Sequence, residues 1–331
     1  MTAAGFVWNL SALLLCLPLM VGACALFTNG LEWVGKKKAW SHGVVGSVLA
    51  SLGTTLPETA IPLIAILVIG THQAKDIGTG AILGAPFVLT TVAFAFSGAA
   101  AMFYSSARKS ANHVLQSDIL VKDLGWFVAA FSVALLCTRL RSAWLRLPVA
   151  LALVLAYVLH VRGHFGELRQ EEEDPSQLYF APKHSNPHLA TCAMQALLGL
   201  AIVLPIAYLF VTRIESLSSS IGVAPALLSL FVSPVASELP EIINSTIWMR
   251  QGRSTLALGN ISGAIMFQGT ILVALGMCLT PWLPERKVAL SGAFSVAAAL
   301  FAIFALRREK SPSLLLFCAG FYVAYLLLIM H

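Results

Sequence analysis

Ten runs of apolar residues divide the chain, near 6–27, 43–69, 77–104, 124–138, 144–163, 189–212, 223–249, 255–280, 288–306 and 312–330. Most approach the roughly 20 residues that a helix needs to cross the hydrocarbon core of a bilayer. In lipid every backbone N–H and C=O must find a partner within the protein, so such runs fold as helices. Of the 331 residues only 11% are charged and 58% are hydrophobic, too little polar surface to clothe a water-soluble core. The expected fold is all-α and integral to the membrane, with ten transmembrane helices. The first run has no basic residue before it and no small-residue cleavage site, so it is expected to remain as a helix.

Lysine and arginine give this array a direction. Of the 21 basic residues, 14 fall in the odd-numbered connections between helices, among them Lys36, Lys37, Lys38, Arg307, Arg308 and Lys310. The positive-inside rule then puts the odd connections in the cytoplasm and both termini outside. The net charge of +6 is therefore a topology signal and not a nucleic-acid signal. The seven tryptophans lie at or near the ends of runs and are expected to act as headgroup-level anchors. Six cysteines lack metal-type spacing and are expected to pack as small apolar side chains.

Two stretches break the apolar pattern in the same way. One is Ala50-Ser51-Leu52-Gly53-Thr54-Thr55-Leu56-Pro57-Glu58, and the other is Pro234-Val235-Ala236-Ser237-Glu238-Leu239-Pro240-Glu241. Each sets hydroxyls, a proline and a carboxylate inside a run long enough to span. Proline removes its own N–H and clashes with the carbonyl four residues back, which tends to free the carbonyls of Gly53 and Ala236. Such backbone survives in hydrocarbon only where it is buried in protein or lines a polar cavity. The helix after each motif opens with small residues at spacing four, Gly80 with Gly84 and Gly259 with Gly263, which let a neighbouring backbone come close.

Aligned on these features, the chain reads as an internal duplication. Residues 1–163 form a first five-helix repeat with its ion motif over 50–90, and residues 188–331 form a second with its motif over 233–270. Between them, 164–187 holds the run Glu171-Glu172-Glu173-Asp174 and reads as an acidic, solvated cytoplasmic linker without an EF-hand pattern. His160 and His164 beside it read as a helix end that snorkels, not as a metal site. Five helices per half turn the second copy upside down relative to the first. That inverted-repeat plan is the one secondary transporters use, with sites near the midplane where interrupted helices meet.

The motifs gather oxygen donors: the carboxylates of Glu58 and Glu241, the hydroxyls of Thr54, Thr55 and Ser237, and freed carbonyls. These are hard ligands that suit calcium or sodium and suit zinc or copper poorly. Two carboxylates meeting in a buried volume repel, and one keeps a proton unless a divalent cation sits between them.

At these residues the sequence resembles the sodium/calcium exchanger family, within the wider cation/calcium exchanger superfamily. That family carries a Gly-Thr-Ser-Leu-Pro-Glu-like signature in each of two inverted repeats. The resemblance covers both repeats and implies calcium at Glu58 and Glu241. It also implies calcium and sodium contacts from Thr54 and Ser237, and outer sodium contacts from the carbonyls of Ser51 and Pro234. The departures bear on the driving ion. Glu238 stands where the family has a small hydroxyl residue and adds a third carboxylate. Ala85 and Ala264 replace serine ligands, Ala81 and Pro86 replace asparagines, and Leu89 takes a polar central place that Gln268 takes in the second half.

The expectation is a secondary-active cation antiporter in the plasma membrane. It would exchange calcium, or a similar divalent cation, for sodium or protons by alternating access, with no prosthetic group. The first and sixth helices would slide across the motif helices. A non-transporting cation-binding or sensor protein is the alternative that the missing sodium ligands leave open. An intramembrane hydrolase would need a general base near its nucleophile, and neither motif segment holds a histidine or lysine.

Overall fold

The structure, a computed structural model, describes residues 3–38, 55–104, 117–140, 142–164, 176–308 and 312–330. Among them every regular element is helical. Among the described residues nine helices are long and apolar enough to cross a membrane, and Leu56–Ile69 is a shorter apolar helix.

In the first half α1 is Ala3–Lys37 and α2 is Leu56–Leu63, which continues as a π turn over Ile64–Ile69. Then come α3, His72–Val88, a π turn over Leu89–Ala93, and α4, Phe94–Phe103. Two further spans, α5 (Ser117–Leu136) and α6 (Ala143–His164), complete it. The second half opens with α7, Leu189–Ile221, followed by α8 (Pro225–Ser237) and α9 (Leu239–Arg250). Next are α10 (Ser254–Phe267), a π turn over Gln268–Leu272, and α11 (Val273–Leu279). The chain closes with α12 (Arg286–Arg308) and α13 (Ala319–Met330).

The two halves repeat one plan, a long helix, a helix with Pro-Glu in its first turn, a span interrupted by a π turn, and two outer spans. The π turns begin at Leu89 and at Gln268, the two positions that the sequence alignment pairs. Two residues into each, a threonine hydroxyl donates to the carbonyl four residues back, Thr91 to Phe87 and Thr270 to Met266. A π turn loosens the backbone ladder, and these hydroxyls occupy carbonyls that the loosened ladder leaves exposed. With five spans per half, the two copies are inverted.

The span through α3 and α4 is the most buried of those described: 89% of its apolar stretch is buried, against 17% for the last span. It lies on α8 with almost no space between. A Cβ on Gly80 would stand 2.1 Å from the Ala226 carbonyl oxygen, and one on Gly84 would stand 2.4 Å from that of Leu230. The Ser229 hydroxyl donates across this seam to the Ile77 carbonyl at 2.7 Å and pairs with Ser233 at 2.8 Å. At Gly259 and Gly263 no described atom lies within 4 Å of an added Cβ. The first-half stretch that matches α8 lies outside the described residues.

Several helix limits differ from the apolar runs. The 35 residues of α1 and 33 of α7 run well past 6–27 and 189–212. At 1.5 Å per residue each is about 50 Å long, so polar ends such as Glu32, Lys36 and Lys37 continue the helix beyond the hydrocarbon. The third span starts at His72, because Gly70 at φ 68° ends the preceding π turn and the Thr71 hydroxyl caps the next helix by accepting the Ala74 N–H.

Three expectations need correction. Trp33 and Trp282 are buried core residues and not interfacial anchors. The Trp33 indole N–H donates to the Ser176 carbonyl and that of Trp282 to the Ala134 carbonyl. A buried indole needs such a partner, and its bulk then serves packing. From Ser176 onward most of the linker is exposed, yet it is anchored as well as solvated: Asn29 donates to Ser176, the Phe180 N–H to Gln195, and Leu178 is fully buried beside Trp33 and Cys192. The acidic run itself lies outside the described residues. His160 does not snorkel either. It is 8% exposed and its Nδ1 lies 3.9 Å from Asp123, which also accepts the Ser262 hydroxyl.

Candidate functional site

Each half contributes one carboxylate from the first turn of a short helix. In the first half Thr55 is the N-cap residue of α2, with Pro57 and then Glu58 inside the first turn. In the second half the chain breaks at Glu238 (φ −93°, ψ −9°), which closes α8 and opens α9, and Pro240 and Glu241 follow. Proline suits this place, because the first N–H groups of a helix have no partner inside the helix anyway. The same free N–H groups give a helix start a positive potential that favours a nearby carboxylate.

These breaks bring three carboxylates together. One oxygen from each of Glu58, Glu238 and Glu241 lies within 4.8 Å of the others. The residues are 4%, 0% and 2% exposed. Among the described residues none of the three forms a salt bridge. The third carboxylate is satisfied differently from the other two. Glu238 Oε1 accepts the Ser237 hydroxyl at 2.6 Å, and Oε2 accepts the Gln268 side-chain amide at 2.9 Å. Both oxygens of Glu58, Oε2 of Glu241 and Oε1 of Gln268 are buried without a hydrogen-bond partner. Four buried acceptor atoms without donors, gathered at one cluster, are costly unless a cation or protons satisfy them.

The sequence-derived residues divide accordingly. Glu58, Glu238, Glu241, Ser237 and Gln268 meet in one cluster. Thr55 is buried at the start of α2, and its carbonyl accepts both the N–H and the hydroxyl of Thr59. The Pro234 carbonyl accepts the Glu238 N–H at 2.8 Å. Ser51 and Thr54 lie outside the described residues. Ala85, Leu89 and Ala264, the positions without a ligand side chain, are buried at 3%, 0% and 9% exposure.

The bond from Gln268 to Glu238 was not foreseen, because it joins residues 30 apart on different spans. Its one sequence signal is an amide inside an apolar run. Ser229 and Ser233 were also passed over. With Ser237 they form a buried line of hydroxyls at spacing four, a signal that was visible, and it leads along α8 to the carboxylates.

Comparison with known proteins agrees with this architecture. The sodium/calcium exchanger protein family matches over residues 8–163 and 193–331. Inner membrane protein YrbG of Escherichia coli (strain K12) is 25% identical over 278 residues, which are 81% of this chain and 80% of that protein. Among solved structures, the H+/Ca2+ exchanger CAX is similar with a TM-score of 0.73 at 17% identity, covering 98% of this chain and 82% of its own. The sodium-calcium exchanger NCX_Mj, soaked with Na+ and Sr2+, gives a TM-score of 0.60 at 17% identity, covering 97% of this chain and 98% of its own. At these identities the likeness shows the fold.

Proposed function

Because the chain belongs to the sodium/calcium exchanger protein family, we propose that it is a secondary-active antiporter that carries calcium, or a similar divalent cation, in exchange for sodium or protons. It is a membrane transporter and not an enzyme. The observation that carries the choice of cargo is the meeting of Glu58, Glu238 and Glu241 in one buried cluster. All its free donors are oxygens, which selects hard cations, and its three carboxylates favour a divalent ion over a monovalent one. Calcium takes six to eight oxygens. The oxygens of Glu58, Glu241 and Gln268 that lack partners supply part of that shell, and water, freed carbonyls and the Thr54 hydroxyl are the remaining sources.

The counter-ion reading rests on what surrounds the cluster. The resemblance implies sodium ligands at Ala85, Leu89 and Ala264, and none of these side chains offers an oxygen, which weakens the case for sodium. Protons need only the carboxylates. Once calcium leaves, like charges in a buried volume cannot all stay ionised, so proton entry follows from electrostatics. The proposed cycle alternates these two loads. The paired α1 and α7 slide over the cluster to open it to one side of the plasma membrane and then to the other. Both termini lie outside, and residues 164–187 lie in the cytoplasm.

The test is radioactive calcium uptake into proteoliposomes of the purified protein, driven in parallel by an outward sodium gradient and an outward proton gradient. Saturable uptake under the proton gradient, absent in Glu58→Gln and Glu241→Gln, is the expected result. Calcium binding without gradient-driven uptake would favour a binding or sensor protein, the reading to which the alanines and leucine at the sodium positions lend support.

A further inference from the structure

At the C-terminal end of the span that carries Gln268, the first turns of α6 meet α11 around a cavity of about 270 Å3. Trp144, Arg146, Leu147, Met277 and Cys278 line it. Four walls are apolar or weakly polar, and the fifth is a guanidinium. Arg146 is only 7% exposed, an unusual place for the one side chain here that stays charged. Its Nη1 donates to the Thr280 carbonyl at 2.9 Å, and its Nε is buried with no partner. The guanidinium borders the cavity, and of its five N–H donors the structure shows one, on Nη1, in use by the Thr280 carbonyl.

We infer that this cavity binds the phosphate of a membrane phospholipid, with Arg146 as its anchor. Phosphate oxygens match the fork of donors on a guanidinium. Arg146 lies in the first turn of α6, whose unpaired N–H groups add to the positive potential there. A lipid, as opposed to a phosphate ion from solution, is indicated by what continues from the cavity. Trp144, Leu147, Leu151 and Leu155 are 84%, 45%, 63% and 57% exposed. Their spacing of three and four puts them on one face of α6, an apolar track that runs from the cavity into the hydrocarbon and offers acyl chains a surface. Through Thr280, which caps α11, the bound lipid braces the end of the span that carries Gln268.

Native mass spectrometry of the full-length protein in detergent tests the assignment. Three probes are titrated: dioleoylphosphatidylglycerol, dioleoylglycerol with the same chains and no phosphate, and glycerol phosphate with no chains. The wild type is expected to bind the phospholipid at least tenfold more tightly than either partial probe. Both Arg146→Gln and Leu147→Trp should weaken phospholipid binding by about tenfold. The second variant fills the cavity and leaves the guanidinium in place, so a folding defect of the first would not decide the outcome. Equal binding of dioleoylglycerol would show a merely apolar cavity, and equal binding of glycerol phosphate a solution-anion site. Either result, or phospholipid binding unchanged in Leu147→Trp, overturns the inference.

Discussion

Glu238 and its two neighbouring carboxylates hold different partners, and this sets distinct roles at the scale of single residues. Glu238 already accepts two hydrogen bonds, whereas Glu58 accepts none. On the proposed reading the bonds from Ser237 and Gln268 stabilise Glu238 when it is ionised, and the oxygens open to cargo are those of Glu58 and Glu241. Gln268→Leu removes the amide donor and leaves a buried oxygen of Glu238 unpaired. A hydrogen bond to a charged group contributes about 1.5–3 kcal/mol, so the calcium concentration at half-maximal flux should shift by roughly tenfold or more. Glu238→Gln removes the charge and keeps the shape, and the proton-driven part of calcium uptake should fall by roughly tenfold with a flatter pH profile. An unchanged profile would remove Glu238 from the proton pathway. Glu58 and Glu241 were readable from the sequence because an intramembrane Pro-Glu pair occurs twice in matched places. The pairing of Gln268 with Glu238 was not, since only packing of separate spans brings an amide across 30 residues.

At the scale of helices, the break at Glu238 and the close seam between α3 and α8 together place the cluster. The seam depends on glycine. At Gly80 and Gly84 an added Cβ would meet backbone atoms, which cannot rotate away as a side chain can. Gly84→Val should therefore lower the thermal unfolding midpoint of the purified protein sharply, since overpacking commonly costs about 1–3 kcal/mol and here the helices themselves must part. Gly125→Ala is the control. Gly125 has nothing within 4 Å of an added Cβ and lies within α5, where alanine is the better helix former, so the midpoint should hold or rise. The spacing of four already announced this seam. The helix ends were less readable: the third span begins at His72 because a left-handed glycine and a threonine cap end one helix and start the next within two residues. Composition alone does not separate that from a longer turn.

Across the whole molecule, the long helices α1 and α7 pack closely on one another and share a buried core with α2 and α3. Gly30 and Gly199 let their backbones touch, Asn29 bonds to Gln195 near one end, and Asn9 accepts the Arg213 guanidinium near the other. If this pair slides as one body, a short thiol-reactive bridge between Asn29→Cys and Gln195→Cys should leave calcium exchange intact. A bridge between Thr71→Cys and Glu215→Cys, a contact from α7 to the cap of α3, should stop it. Arrest by the first bridge would mean that the two helices move against each other. The orientation is open to a separate check, in which alkaline phosphatase fused after His331 is active only if the C-terminus lies outside. The ten-span plan and its inversion were readable from apolar runs and repeated motifs, because both follow from the bilayer as solvent. The anchoring of the linker at Leu178 was not, since only the packing of segments far apart in the chain brings that one residue against Trp33 while its neighbours stay exposed. The central claim is that Glu58, Glu238 and Glu241 form one cation site, and titration calorimetry of calcium into the purified protein addresses it directly. Removing one carboxylate leaves a buried divalent cation short of countercharge, so Glu58→Gln and Glu241→Gln should each weaken calcium binding by roughly a hundredfold or more. Wild-type affinity in either folded variant would contradict the account.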